Sequence, residues 1–411
     1  GAVTVDGDAP DFASVAATNG DYGVGEALSI TVTWDEAVVV TGTPTLTLSN
    51  NDVATYASGT GSTALVFSTT IAEGDTASAD LSVSSFGGTI TDAAGGAAGA
   101  ASGDLGSVTV DGDAPDLSSV ADTTGDGAYG VGETISITVT WDEAVVTSNG
   151  ALTLSNSASA AYSSGSGSTA IVFTYTVAEN DATSSDLSVT AYTGTIADAA
   201  GGAAAATGTV DLGAVTVDGD APDLASVAAT DATYKIGDNL DITVTWDEAV
   251  TVSGTPTLTL SNSATASYQS GTGNAALVFR YTVAEGNTDS SNLLVSSSSG
   301  TITDTAGGAA ASASGDLGTV VVDGDTPDMT GCDATDGDYG VGEAISITCT
   351  FDEAVTVTGT PTITLSNSDV ASYASGSGNA GIVFTTTVAQ GESASSDLSV
   401  SSIQNTAGGA T

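Results

Sequence analysis

Hydrophobic and polar residues alternate along much of the chain. Leu28, Ile30, Val32 and Trp34 are interleaved with Ser29, Thr31 and Thr33, and Leu46 and Leu48 with Thr45, Thr47 and Ser49. A period of two is that of a strand with one buried face. The pattern returns at Leu65, Phe67 and Ile71, at Leu81 and Val83, and at Val108 and Val110, with clusters of Gly, Asn, Asp and Ser between. Helical spacing is not evident in any stretch. The alternation predicts short antiparallel strands joined by tight turns.

The whole pattern is written four times. Asp6–Asp11, Asp111–Asp116 and Asp218–Asp223 read DGDAPD, and Asp323–Asp328 reads DGDTPD, about 105 residues apart. A unit of that length encloses its own core, unlike the roughly 20–50-residue coils of a solenoid. Seven Thr- and Val-rich strands per unit predict a β-sandwich of immunoglobulin type. The expected fold is therefore all-β: four tandem immunoglobulin-like antiparallel β-sandwich domains in a linear rod. The expected boundaries are 8–112, 113–219, 220–324 and 325–411, with 1–7 an orphan last strand. Trp34, Trp141, Trp246 and Phe351 fall at one equivalent position and read as inward core rings, each stabilising by about 2–3 kcal/mol.

Charge narrows the function. Fifty Asp and Glu stand against two Lys and Arg, with no His, for a formal net charge of -48. Such a polyanion repels phosphate backbones and lacks the cations that drive nucleic-acid binding, so nucleic acid is not an expected partner. With Lys235 and Arg280 the only basic side chains, the usual catalytic bases and electrophiles are missing, and no enzymatic activity is expected. Paired carboxylates such as Asp35 and Glu36 point to opposite faces of a strand, which does not suit a glycosidase cleft. No apolar run has the roughly 18 residues of a membrane span.

The succession VDGDAP, YGVGE, ISITVTWDEAV, TGTPTLTLSN, YSSGSG, IVFTYTVAE and ITDAAGG resembles the tandem immunoglobulin-like repeats of very large bacterial surface proteins and adhesins, over essentially the whole chain. The linker is also similar to the acidic linkers of cadherins, over a shorter match. The resemblance implies an extracellular, cell-surface rod, often stiffened by calcium, that holds a binding module away from the cell.

Strand direction gives the repeated acids a purpose. If the first strand leaves Pro10 and the second returns to Trp34, Asp35 and Glu36 come back to the end where Asp6, Asp8 and Asp11 enter. The loop holding Asp92 lies at that end too, and Glu73, Asp75 and Asp21 to Glu26 lie at the opposite end of the same unit. Crowded carboxylates call for a hard cation, and Ca²⁺ accepts six to eight oxygen ligands with tolerant geometry. The metal candidates are Asp6, Asp8, Asp35 and Glu36 at the start. Asp111, Asp113, Asp142 and Glu143 follow at the first junction, and Asp218, Asp220, Asp247 and Glu248 at the second. Asp323, Asp325, Asp352 and Glu353 complete the set at the third. Two alternatives stand: solvated Asx turns, and acids spread over the surface for a high-salt medium.

Cys332 and Cys349 replace inward valines and are expected to form a disulfide, the alternative being two buried thiols; an exported chain permits the bridge. Val3 and Val5 match the last strand Val108 to Val110, while the fourth unit stops without the strand that Val320 and Val322 supply to the third. Head-to-tail strand donation between copies is one expectation, and a window onto a longer repetitive polypeptide the other. The competing functions are an adhesin stalk with a glycan or host ligand, which sequence leaves unidentified, and a surface-layer lattice.

Overall fold

The computed structural model describes residues 5–205 and 208–404, and every regular element among them is a β-strand. In the first repeat these are β1 (Phe12–Ala17), β2 (Gly20–Tyr22), β3 (Ala27–Leu48), β4 (Val53–Ser58), β5 (Ser62–Thr70), β6 (Ser82–Thr91), β7 (Gly103–Asp104) and β8 (Val108–Val110). The first half of β3 lies between β1 and β5, with Val32 opposite Val15 and Leu65. Its second half lies between β6 and β4, with Leu46 opposite Phe86 and Ala54. These are the two layers of an immunoglobulin-like β-sandwich. β2 and β8 close one edge in parallel, Tyr22 opposite Val110.

Alternation along β3 places Leu28, Ile30, Val32, Trp34, Leu46 and Leu48 in the core. Four separate clusters of buried side chains follow one another, each drawn from a single repeat. Trp34, Trp141 and Trp246 are all buried, and the indole N–H groups of Trp34 and Trp246 donate to the carbonyls of Gly99 and Ala311 at 3.1 Å.

One expectation needs correction. The runs around Leu28–Trp34 and Leu46–Leu48 are not two strands but one in the first and third repeats, Ala27–Leu48 and Asn239–Leu260. There the connecting residues keep pairing, Val39 to Thr41 with Thr89 to Thr91 and Thr251 to Ser253 with Thr301 to Thr303. In the second repeat a single bridge, Val146 with Ala197, remains, and the strand breaks into Thr134–Val145 and Ala151–Leu154.

The fourth repeat differs at one edge. In the first three, the short second strand pairs in parallel with the last strand: Gly127–Tyr129 with Val215–Val217 and Thr233–Lys235 with Val321–Asp323 repeat the β2–β8 arrangement. In the fourth, a cavity of about 490 Å³ runs past Tyr339, Ile345, Leu365, Ser395 and Leu398. Cys332 and Cys349 face each other across the first two strands of this repeat and are joined by a disulfide. Val5 is 89% exposed; Val3, Asn405 and the residues after it lie outside the described residues.

Candidate metal centre

Each linker is bonded into the repeat before it and opens its acids toward the repeat after it. The Asp111 amide donates to the Tyr22 carbonyl at 2.9 Å, and that of Asp218 to Tyr129 at 2.9 Å. The carbonyls of Gly112, Gly219 and Gly324 accept from Gly74, Asn180 and Gly286 at 2.8, 2.8 and 3.0 Å. Glu73 Oε2 accepts from the Ala114 amide at 3.1 Å.

The next repeat supplies two carboxylates from different strands. β1 and β3 are antiparallel with Phe12 opposite Trp34, so Glu36 and its counterparts return to the linker. The loop after β6 brings Asp92. Asp6, Glu36 and Asp92 each place an oxygen within 4.8 Å of the other two, as do Asp111, Glu143 and Asp198, and Asp218, Glu248 and Asp304.

The loop acid is built in. Asp92 Oδ1 accepts from the amides of Ala94, Gly95 and Gly96 at 2.7, 2.6 and 2.9 Å. Asp198 Oδ1 accepts from Gly202 at 3.0 Å, and Asp304 Oδ1 from Ala306 and Gly308 at 2.7 and 2.9 Å. The other oxygen, Oδ2, is buried without a hydrogen-bond partner in all three, although these residues are only 3–5% exposed. Glu143 and Glu248 each add a buried, unpartnered Oε1.

Three ionised carboxylates at this spacing repel by roughly 3 kcal/mol per pair at an effective dielectric of about 20. A proton or a cation must relieve that. Burial first, then Asp111 and Asp198, push Glu143 up to about 7; burial, then Asp304 and Asp218, do the same to Glu248. Glu36 is raised for the same reasons, by burial and then Asp6 and Asp92. Asp92 is held below the usual range by its bond from the Gly96 amide. The donors are all hard oxygens, and orphaned lone pairs inside a protein are costly unless something binds them. The set fits Ca²⁺ and does not suit a thiolate- or imidazole-seeking metal.

Of the sequence candidates, Asp6, Glu36, Asp111, Glu143, Asp218 and Glu248 are brought together. Asp35, Asp142, Asp247 and Asp352 turn to the linker instead, each Oδ1 accepting at 2.8 Å from the amide of Asp11, Asp116, Asp223 or Asp328. Asp8, Asp113 and Asp220 donate their amides to Asp6, Asp111 and Asp218 in Asx turns at 3.3–3.4 Å. At the third junction, Asp325 and Glu353 are raised by burial and by neighbouring acids, Asp289 foremost for Asp325 and Asp323 foremost for Glu353. Asp198 and Asp304 belong to the clusters without being among the sequence candidates. Their signal is the second residue of ADAAGG and TDTAGG, aligned with Asp92 in TDAAGG.

No family model matches the chain, and no curated protein sequence matches it. Among solved structures, the I9–I11 tandem from titin is similar to 75% of this chain and 100% of its own, at 8% identity and a TM-score of 0.28.

Proposed function

We propose that this chain is a non-enzymatic structural protein of the cell exterior, a rod segment or filament subunit whose repeats are locked in line by calcium. One observation carries the reading. The same buried aspartate oxygen is left without a partner three times over, each time beside the linker acid and a returning glutamate. The linker acid is bonded through its amide to the preceding repeat, so an ion at its carboxylate joins two repeats. Composition supports the rest: no His and two basic residues leave little for catalysis.

The test is a thermal scan of the whole chain in calcium and in excess chelator, with bound ions counted by equilibrium dialysis. Bound calcium and a lower melting temperature on chelation are expected. An unchanged scan with no ion retained overturns the reading. Equal recovery in sodium chloride alone favours salt adaptation.

Head-to-tail strand donation belongs to the same reading. In the first repeat, Val108 and Val110 fill the edge beside Ser78 and Leu81, bonding to both. Ser395 and Leu398 take those places in the fourth repeat and line its cavity. The sequence Val3-Thr4-Val5-Asp6-Gly7-Asp8 repeats 108–113 and 215–220 residue for residue, so a second copy offers the strand that this groove fits.

A further inference from the structure

The third junction departs from the first two at one residue. Lys235 follows Tyr234 where Gly23 follows Tyr22 and Gly130 follows Tyr129. Thr233–Lys235 pairs with Val321–Asp323, and Lys235 stands directly opposite Asp323. Its Nζ lies 3.4 Å from Asp323 Oδ2. Asp323 is the counterpart of Asp111 and Asp218, the linker acids of the carboxylate triads. The ammonium therefore sits on the very acid that meets two carboxylates at the earlier junctions.

Two further departures fall at the same place. At the first two junctions no side chain fits on the glycine, because a Cβ on Gly23 or Gly130 would collide with the backbone of Gly202 or Gly308 in the following repeat. That packing belongs to the loop carrying Asp198 or Asp304. In the fourth repeat the corresponding sequence is Asn405-Thr406-Ala407-Gly408-Gly409, so the loop acid is replaced by an amide; Asn405 lies outside the described residues. The chain's single lysine and its one substituted loop acid thus share a junction.

The remaining acids there are mostly spent on linker amides. Asp289 Oδ1 accepts from Gly324 at 2.7 Å, Glu285 Oε1 from Thr326 at 3.4 Å and Asp352 Oδ1 from Asp328 at 2.8 Å. Among the described residues of this junction, Glu353 Oε1 alone is buried and unpartnered, one acid near one ammonium where the earlier junctions gather three carboxylates.

We infer that Lys235 is the resident cation of the third junction, which closes by an ammonium–carboxylate pair and takes no divalent ion. This rests on the calcium reading of the other junctions. It makes the chain a rod of two kinds of joint, one responsive to calcium and one not.

Spin-label pairs placed across the second or the third junction of the intact chain test it, with distance distributions measured in calcium and in chelator. Chelation is expected to broaden the second-junction distribution and leave the third unchanged. Lys235→Met is expected to broaden the third in both conditions. Lys235→Gly combined with Asn405→Asp restores the composition of the earlier junctions and is expected to add one bound calcium per chain. Equal broadening of both junctions on chelation, or a third junction kept narrow by Lys235→Met in chelator, overturns the lysine inference and leaves the calcium reading standing. No response at either junction overturns the calcium reading itself.

Discussion

Gly112 packs its Cα against the backbone of Asp75 in the preceding repeat, so closely that a Cβ would collide with the Asp75 carbonyl; Gly219 meets Asp181, and Gly324 meets Asn287, in the same way. The glycine of the acidic linker is thus there for close approach between repeats. Gly219→Ala forces the backbones apart, an overpacking cost of about 1–3 kcal/mol. That is enough to raise the locally open population about tenfold or more. Proteolysis within 218–223 is expected to accelerate, while the melting of each sandwich barely moves. Unaltered cleavage would show that the two repeats do not pack through this glycine.

The raised glutamates give metal-free protein an unusual pH dependence. An acid whose folded pKa exceeds its unfolded value binds more protons when folded, so stability falls as pH rises between the two. For Glu143 and Glu248 that window runs from the ordinary 4.5 to about 7. In chelator, the melting temperature is expected to be higher at pH 5 than at pH 7.5. In calcium the trend is expected to flatten or reverse, because the ion competes with the protons. Parallel pH profiles with and without calcium would remove the clusters from the account.

Much of this is legible from residue order, and what is not has physical causes. Period-two alternation marks Leu28 to Trp34 as core, and strand direction alone brings Glu36 and Asp92 to the linker end. Adjacent residues on a strand face opposite ways, which is why Glu143 enters the cluster while its neighbour Asp142 turns to the Asp116 amide. The packing of Gly23 on the loop of the next repeat leaves no trace in the pattern. Contacts between loops of different repeats follow no period, and only the crowding of the Gly202 backbone against the Gly23 Cα reveals this one.

Asp198→Asn separates charge from shape. The amide oxygen still accepts the Gly202 N–H that orders the loop, but the cluster loses one of three carboxylates. Calcium at a hundredfold excess over its dissociation constant stabilises a site by about 2.7 kcal/mol, and the variant is expected to lose most of that in calcium and one bound ion per chain. In chelator the sign reverses: with less repulsion among Asp111, Glu143 and residue 198, the variant is expected to melt no lower than the parent. A deficit of equal size in both conditions would mark Asp198 as a loop-former only.

Reduction of Cys332–Cys349 is expected to act on the fourth repeat alone. The bridge closes a loop with a sequence separation of 17, for which chain entropy gives roughly 3 kcal/mol. Among the described residues, its sandwich is the one with the fewest fully buried side chains. Calorimetry with and without reductant should show one transition moving down and the others fixed; a uniform shift would contradict the independence of the four cores.

Strand donation predicts that a peptide of residues 1–9 acts on the fourth repeat in isolation from the other three. Val3 and Val5 would take the places of Val108 and Val110, whose main chains bond to Leu81 and Ser78, here Leu398 and Ser395. Each buried valine is worth about 1.5–3 kcal/mol, offset by the ordering of the peptide, so the lowest thermal transition is expected to rise by several degrees at millimolar peptide. The same peptide should block association of full-length chains in sedimentation experiments, and Val5→Asp in the chain should abolish that association without disturbing any of the four cores, since Val5 is exposed. Association that survives both would mean that copies meet through another surface, and that the groove at Tyr339 and Leu398 is filled by something other than this strand.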